Sequence, residues 1–207
     1  MLILAATIQM SAIEYNNLLF EISQRLDELN VRERLLFMCR GKLASGSEDI
    51  QDVLSLFKEL EEKDYLGIDR LKILKEVLKS VREWPLFGKV KNLERKRKEY
   101  SHLLEEIIRV LDELNDMERL MSMCRGKVPE GSEANIQDVR RLLNELENQD
   151  HLGVDQLDIL KKILTETEKE DLLKKVNEFE KRRNDEEELE SRKGKLNLFQ
   201  VSFTKLP

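Results

Sequence analysis

The chain repeats itself, and that feature constrains its fold more than any other. Residues 15–42 align with 100–127 at an offset of 85, with 18 identities in 28 pairs. Leu26-Asp-Glu-Leu-Asn30 recurs at 111–115, and Met38-Cys-Arg-Gly-Lys42 recurs at 123–127. One extra residue near Pro129 moves the offset to 86, and 20 of the 41 pairs from Ile50/Ile136 to Val90/Val176 are identical. Identity at that density marks a duplication. A period near 85 is too long for a solenoid unit and suits two complete small domains.

Each copy reads as the same string of short helices. Leu18, Leu19, Ile22 and Leu26 form the stripe of an amphipathic helix. Asn30-Val-Arg-Glu33 and Asn115-Asp-Met-Glu118 have capping-box spacing ahead of a second apolar run, Leu35-Leu-Phe-Met-Cys39. Gly41 is placed to end that helix, and Ser45-Gly-Ser47 reads as a loop. Val53, Leu56, Phe57 and Leu60 predict a further helix, as do Val139, Leu142, Leu143 and Leu146. Beyond Gly67, a helix carries Leu71, Leu74, Val77, Leu78 and Val81; the last begins near Trp84-Pro85, or near Thr167-Glu-Lys-Glu170 in the second copy, another capping-box spacing. With a short turn near 47–49, this predicts an all-α chain of two antiparallel six-helix bundles. Domains of about 80 residues are individually marginal, so the copies are expected to pack as a rigid tandem pair.

The reading divides the chain into an N-terminal extension 1–10, a first domain 11–90, a helical linker 91–99, a second domain 100–180, and a charged tail 181–207. The linker contains neither Gly nor Pro, so the last helix of the first copy is expected to run into it. The tail is expected to be a fraying helix with a disordered end, and Leu196–Phe203 alternates imperfectly enough to suggest a short strand. Residues 1–10 are apolar without a basic flank and too short to span a bilayer, so a frayed or docked extension is favoured over a secretory signal.

Chemistry bounds the function next. Charged residues make up 38% of the chain and aromatics 5%, with two Cys, two His and a net charge of −6. That balance excludes a disulfide scaffold, gives no electrostatic reason for a nucleic-acid partner, and fits a cytoplasmic protein without membrane insertion. Cys39 and Cys124 are repeat equivalents on apolar faces and read as buried hydrophobes. No Gly-rich phosphate loop, zinc spacing or nucleophile signature is present, so no cofactor, no metal and no enzyme activity are expected. The basic run Arg95-Lys-Arg-Lys98 reads as a solvated linker face rather than an import or nucleic-acid patch.

A tandem of helical units reading Leu-x-Phe-Met-Cys-Arg, then Asp-x-Leu-x-Ile-Leu, then Asp-Leu-Leu-Lys-Lys-Val resembles tandem death effector domains. The second copy carries it most fully, in Asp155–Leu160 and Glu170–Glu180, and the likeness spans about residues 11–180. The resemblance implies death-fold bundles that bind the Fas-associated death domain adaptor, initiator caspases and other death effector domain proteins, with homotypic self-assembly as a further prospect. It also implies a charge triad: an acidic residue opening the second helix plus Arg-x-Asp-Leu in the sixth. The second copy offers Asp116, Lys169, Asp171 and Leu172, with Lys replacing Arg; the first offers Val31, Glu83 and Pro85 and lacks it. Asp116 and Asp171 are expected to hold Lys169, the alternative being an ordinary exposed ion pair.

The same resemblance implies an apolar pair on the second helix, Phe37-Met38 in the first copy and Ser122-Met123 in the second. Five consecutive apolar residues, 35–39, exceed what one buried face accommodates, so some point outward. Phe37 is expected to insert between the copies or into an assembling neighbour; the alternative places it in its own core. The leading functional expectation is a non-catalytic regulator of death-receptor apoptosis that hinders caspase activation. An initiator-caspase prodomain that promotes assembly, a helical scaffold outside death signalling, and a nucleic-acid binder stand behind it.

Overall fold

The structure, a computed structural model, describes residues 10–43, 50–129, 131 and 135–203. The turn expected at 47–49 and the extension 1–9 lie outside them. The described chain is all helical: α1 (Met10–Glu28), α2 (Arg32–Cys39), α3 (Val53–Glu62), α4 (Lys72–Val81), α5 (Trp84–Asp112), α6 (Met117–Met123), α7 (Val139–Asn148), α8 (Asp158–Glu166) and α9 (Glu170–Phe203). Two units divide at Glu99/Tyr100. The boundary falls inside α5, which contributes the last helix of the first copy and the first helix of the second.

The duplicated stripes become duplicated cores. Val53, Leu56, Phe57 and Leu60 of α3 are fully buried, and so are their counterparts Val139, Leu142, Leu143 and Leu146 of α7. Apolar residues three and four apart share one helical face, so four of ten side chains suffice to seat each helix. Ile73, Leu74, Val77 and Leu78 of α4 do the same, matched by Ile159, Leu160, Ile163 and Leu164 of α8. Each copy closes around its own cluster, one centred on Ile22, Leu26 and Leu78, the other on Ile107, Leu111 and Leu164.

Turn chemistry departs from the expected caps. Asn30 and Asn115 do not cap; both are left-handed (φ 54° and 48°) and end the preceding helix, a conformation Asn tolerates. The cap of α6 is Asp116, whose carboxylate accepts from Arg119 N at 3.2 Å, while Val31 opens α2 with no side-chain bond. Thr167 likewise is no cap for α9: its hydroxyl donates back to Ile163 O at 2.7 Å, closing α8. Arg82 and Glu168 (φ 61° and 57°) are helix-terminating residues without a glycine. Glu83 N donates to Leu78 O at 3.0 Å and Lys169 N to Leu164 O at 2.8 Å, the bond that defines a Schellman turn.

Several interhelical ion pairs repeat along with the core. Lys75–Glu94 (2.7 Å) joins α4 to α5, and Lys161–Glu180 (2.6 Å) joins α8 to α9. Lys89–Glu21 recurs as Lys175–Glu106, and Arg97–Asp69 as Arg183–Asp155. The basic run is consumed by this network: Arg95 pairs with Glu99, Lys98 with Glu94, and Lys96 is buried with Nζ 3.3 Å from Glu14. A wholly solvated face was expected there, and Lys96 corrects it. At the other end α9 runs to Phe203, so the stretch 196–203 is helical rather than a strand, and residues 204–207 lie outside the described ones. Residues 181–193 contain neither Gly nor Pro, and in sequence Lys181 and Asp185, like Arg182 and Glu186, are spaced four apart as helical neighbours are.

Candidate interaction surfaces

The α2 run resolves in the way helical geometry requires. Leu35 and Cys39, four apart, are buried; Leu36 and Met38 flank them half-buried; Phe37 points away and is 76% exposed. Its own core is therefore not where Phe37 resides. Met38 lies against α4, where the Ser80 hydroxyl donates to its Sδ at 3.6 Å. Phe20, Tyr65 and Trp84 of the first copy are also exposed. Trp84 meets Phe87 edge-to-face at 5.9 Å, and Lys79 and Lys91 stand 5.3 and 5.9 Å from the Phe87 ring. Cations over an aromatic face are attracted by its quadrupole, so this corner is both aromatic and positive.

Every one of those exposed aromatic positions is polar in the second copy. Phe20, Phe37, Tyr65 and Trp84 are replaced by Glu105, Ser122, His151 and Glu170. Glu105 is bonded to Arg140 at 2.5 Å, which holds its carboxyl below the usual range. Burial beside Lys127 pushes the His151 imidazole down, favouring its neutral form. The surfaces differ while the cores match, and the 79 residues 100–178 carry 19 acidic against 11 basic groups.

The expected charge triad is not assembled as a set. Lys169 and Asp171 lie together at the start of α9, lining an open cleft of about 470 Å³. Glu106 and Val110 of α5 form its far wall; Leu172 and Lys175 complete it. Asp116 is not among its walls and forms no ion pair with Lys169 among the described residues; its Oδ1 instead caps the α6 backbone. Lys175 grips Glu106 across the cleft and holds that carboxyl below its ordinary range.

Two further candidates move inward. Met123 is 7% exposed and belongs to the second core, so it backs α6 rather than facing a partner; Leu172, at 5%, is a floor residue. Phe37, Met38, Lys169 and Asp171 retain surface. Glu106, Val110, Lys175 and the Trp84–Phe87 pair were not anticipated; Val110, Trp84 and Phe87 differ from their counterparts Arg25, Glu170 and Leu173, whereas Glu106 and Lys175 match Glu21 and Lys89. Cys39 and Cys124 are buried, and burial pushes the Cys124 thiol up to about 11, which leaves it inert. Among the described residues no group of three or more His, Cys, Asp or Glu is arranged to hold a metal, and no helix is long and apolar enough to cross a membrane.

The model of the family described as Death effector domain matches the chain twice, at residues 15–96 and 100–182. Neither the curated proteins nor the solved structures contain a match to the chain.

Proposed function

From the premise that the chain belongs to the death effector domain family, as a tandem of two such domains, we propose that it is a non-catalytic regulator of death-receptor apoptosis. Death effector domains are protein-interaction modules that bind one another homotypically. In this reading the partners are the Fas-associated adaptor and initiator caspases, met in the cytoplasm, and the outcome is hindered caspase activation.

One observation supports the direction of regulation. Exposed aromatic side chains of the first copy, Phe37 foremost at 76%, stand where the second copy presents Ser, Glu or His. A heterologous assembly grows only while each added unit offers the same complementary surfaces as the last. A tandem whose copies share a core but not a surface joins through one copy and continues poorly through the other.

Reconstitution tests this. Receptor death-domain clusters, adaptor and an initiator caspase are assembled with increasing amounts of the chain while filament growth and proteolysis are followed. The proposal expects co-assembly, shortened filaments and falling proteolysis. Acceleration of proteolysis would contradict the inhibitory sign and favour a caspase-prodomain role; absence from the assembly would contradict the proposal altogether.

A further inference from the structure

One outward face of the first copy sets aromatic rings among cations that have no carboxylate partner. Trp84, Phe87, Gly88 and Lys91 stand at i, i+3, i+4 and i+7 of α5 and share one side of the helix, while Leu86, Val90 and Leu93 on the other side are buried. Trp84 is 57% exposed and meets the edge of Phe87, which Lys91 and Lys79 of α4 flank. Arg82, in the turn before α5, is exposed beside them. Lys79, Arg82 and Lys91 form no ion pair among the described residues; the carboxylates nearest in the chain, Glu76 and Glu83, are engaged by Lys72 and Arg25.

The fold does not call for this face. The second copy builds the same helix with Glu170, Leu173, Lys174 and Asn177 in place of Trp84, Phe87, Gly88 and Lys91, and has Thr165 and Glu168 in place of Lys79 and Arg82. Gly88 is the plainest departure. A glycine inside a helix costs stability, yet a Cβ there would meet nothing within 4 Å, so packing does not demand it. What it does is leave the outer side of α5 flat between Trp84 and Lys91.

We propose that this face is a peripheral membrane-binding site that takes the headgroups of an anionic phospholipid surface. An indole sits at headgroup level with its apolar body inward and its N–H wet, and lysine stems lie along apolar surface while the ammonium groups reach phosphate. An outward helix face flattened by glycine suits a planar body better than a single enclosed side chain. Among the described residues no helix is long and apolar enough to cross a membrane, so the contact is adsorption. The chain's net charge of −6 does not oppose it strongly, because at physiological ionic strength charges beyond about 8 Å are screened and the three local cations decide. The site is independent of the homotypic reading above.

Trp84 is the only tryptophan in the chain, so its emission reports this face alone. The chain is titrated with phosphatidylcholine vesicles, with and without about one third phosphatidylserine, and partitioning is followed by fluorescence and co-sedimentation. The expected result is a blue shift of Trp84 and quenching by brominated acyl chains on anionic vesicles, both weakened by salt and both absent on neutral ones. Lys79→Thr/Lys91→Asn, which installs the second copy's residues, should lower partitioning about thirtyfold, and Trp84→Glu should lower co-sedimentation as well. The same loss of charge elsewhere, in Lys58→Thr/Lys174→Asn, should change partitioning less than twofold. Equal binding to neutral vesicles, no quenching by brominated lipid, or an equal loss in the control variant would overturn the proposal. A blue shift with soluble polyglutamate equal to that on vesicles would overturn it too, in favour of an acidic protein partner.

Discussion

Glu94 receives Lys75 Nζ on both carboxylate oxygens at 2.7 Å, tying α4 to α5, and Lys161 and Glu180 rebuild the same clasp between α8 and α9. Duplication has thus carried over a specific interhelical link and not only an apolar pattern. Both partners are about one quarter exposed, so the pair is only partly screened. Charge reversal at Lys75 is expected to lower unfolding free energy, and Lys75→Glu/Glu94→Lys to recover most of it. A double-mutant cycle by urea unfolding should return a coupling of about 1 kcal/mol, and no coupling would reduce the clasp to a surface coincidence.

Acid should loosen both units through the carboxylates. Lys75 holds Glu94 below its ordinary range, Arg140 holds Glu105, and Lys175 holds Glu106. A carboxylate depressed by folding stabilises the fold above its unfolded pKa, and that stability is lost as pH falls through the folded value. Thermal unfolding followed by circular dichroism is therefore expected to hold between pH 7 and about 5 and to decline below about pH 4. A midpoint indifferent to pH across that interval would contradict these assignments.

Asp116 provides a separate check on local structure. As the cap of α6 it bonds Arg119 N, the role Asp52 and Asp138 play for α3 and α7. Asp116→Ala should cost about 1 kcal/mol and Asp116→Asn a few tenths, since Asn caps nearly as well. If the Asn variant is as destabilised as the Ala variant, the charge of Asp116 rather than its acceptor oxygen is what matters there.

Thiol chemistry reports on the cores. Cys39 and Cys124 are buried, and burial raises both thiols above their ordinary value. Alkylation by iodoacetamide at pH 8 is expected to be slow in the native chain and rapid in denaturant, because only the exposed thiolate attacks. Prompt labelling of either cysteine in the folded protein would show that its helix opens locally.

Helices and cores were legible in the residues because they rest on periodicity: the buried sets of α3 and α7 are the stripes the spacing predicts, and in α4 the predicted Leu74, Val77 and Leu78 are buried together with Ile73. The exposed Phe37 was legible for the same reason, since five apolar residues in a row cannot share one face. Caps were misread by one residue, because Asn30 and Asn115 satisfy the capping pattern and the left-handed turn equally well, and only backbone geometry separates the two. Lys96 was read as solvated because a stretch of four cations hides which one faces inward; its burial beside Glu14 depends on a helix 82 residues away. Lys169, Asp171 and Leu172 were singled out through the family resemblance, but the opposing residues Glu106 and Val110 were not, because they belong to a helix distant in the chain.

The most direct measurement of the central claim is the affinity of the purified chain for a death effector domain partner, taken beside the Phe37→Asp variant. Phe37 is 76% exposed, so the substitution should leave the unfolding free energy within about 0.5 kcal/mol of the parent. Isothermal titration is expected to give saturable binding for the parent and binding weakened about tenfold or more for the variant, as for loss of a central aromatic anchor. No binding by the parent, or equal binding by a well-folded variant, would contradict the account.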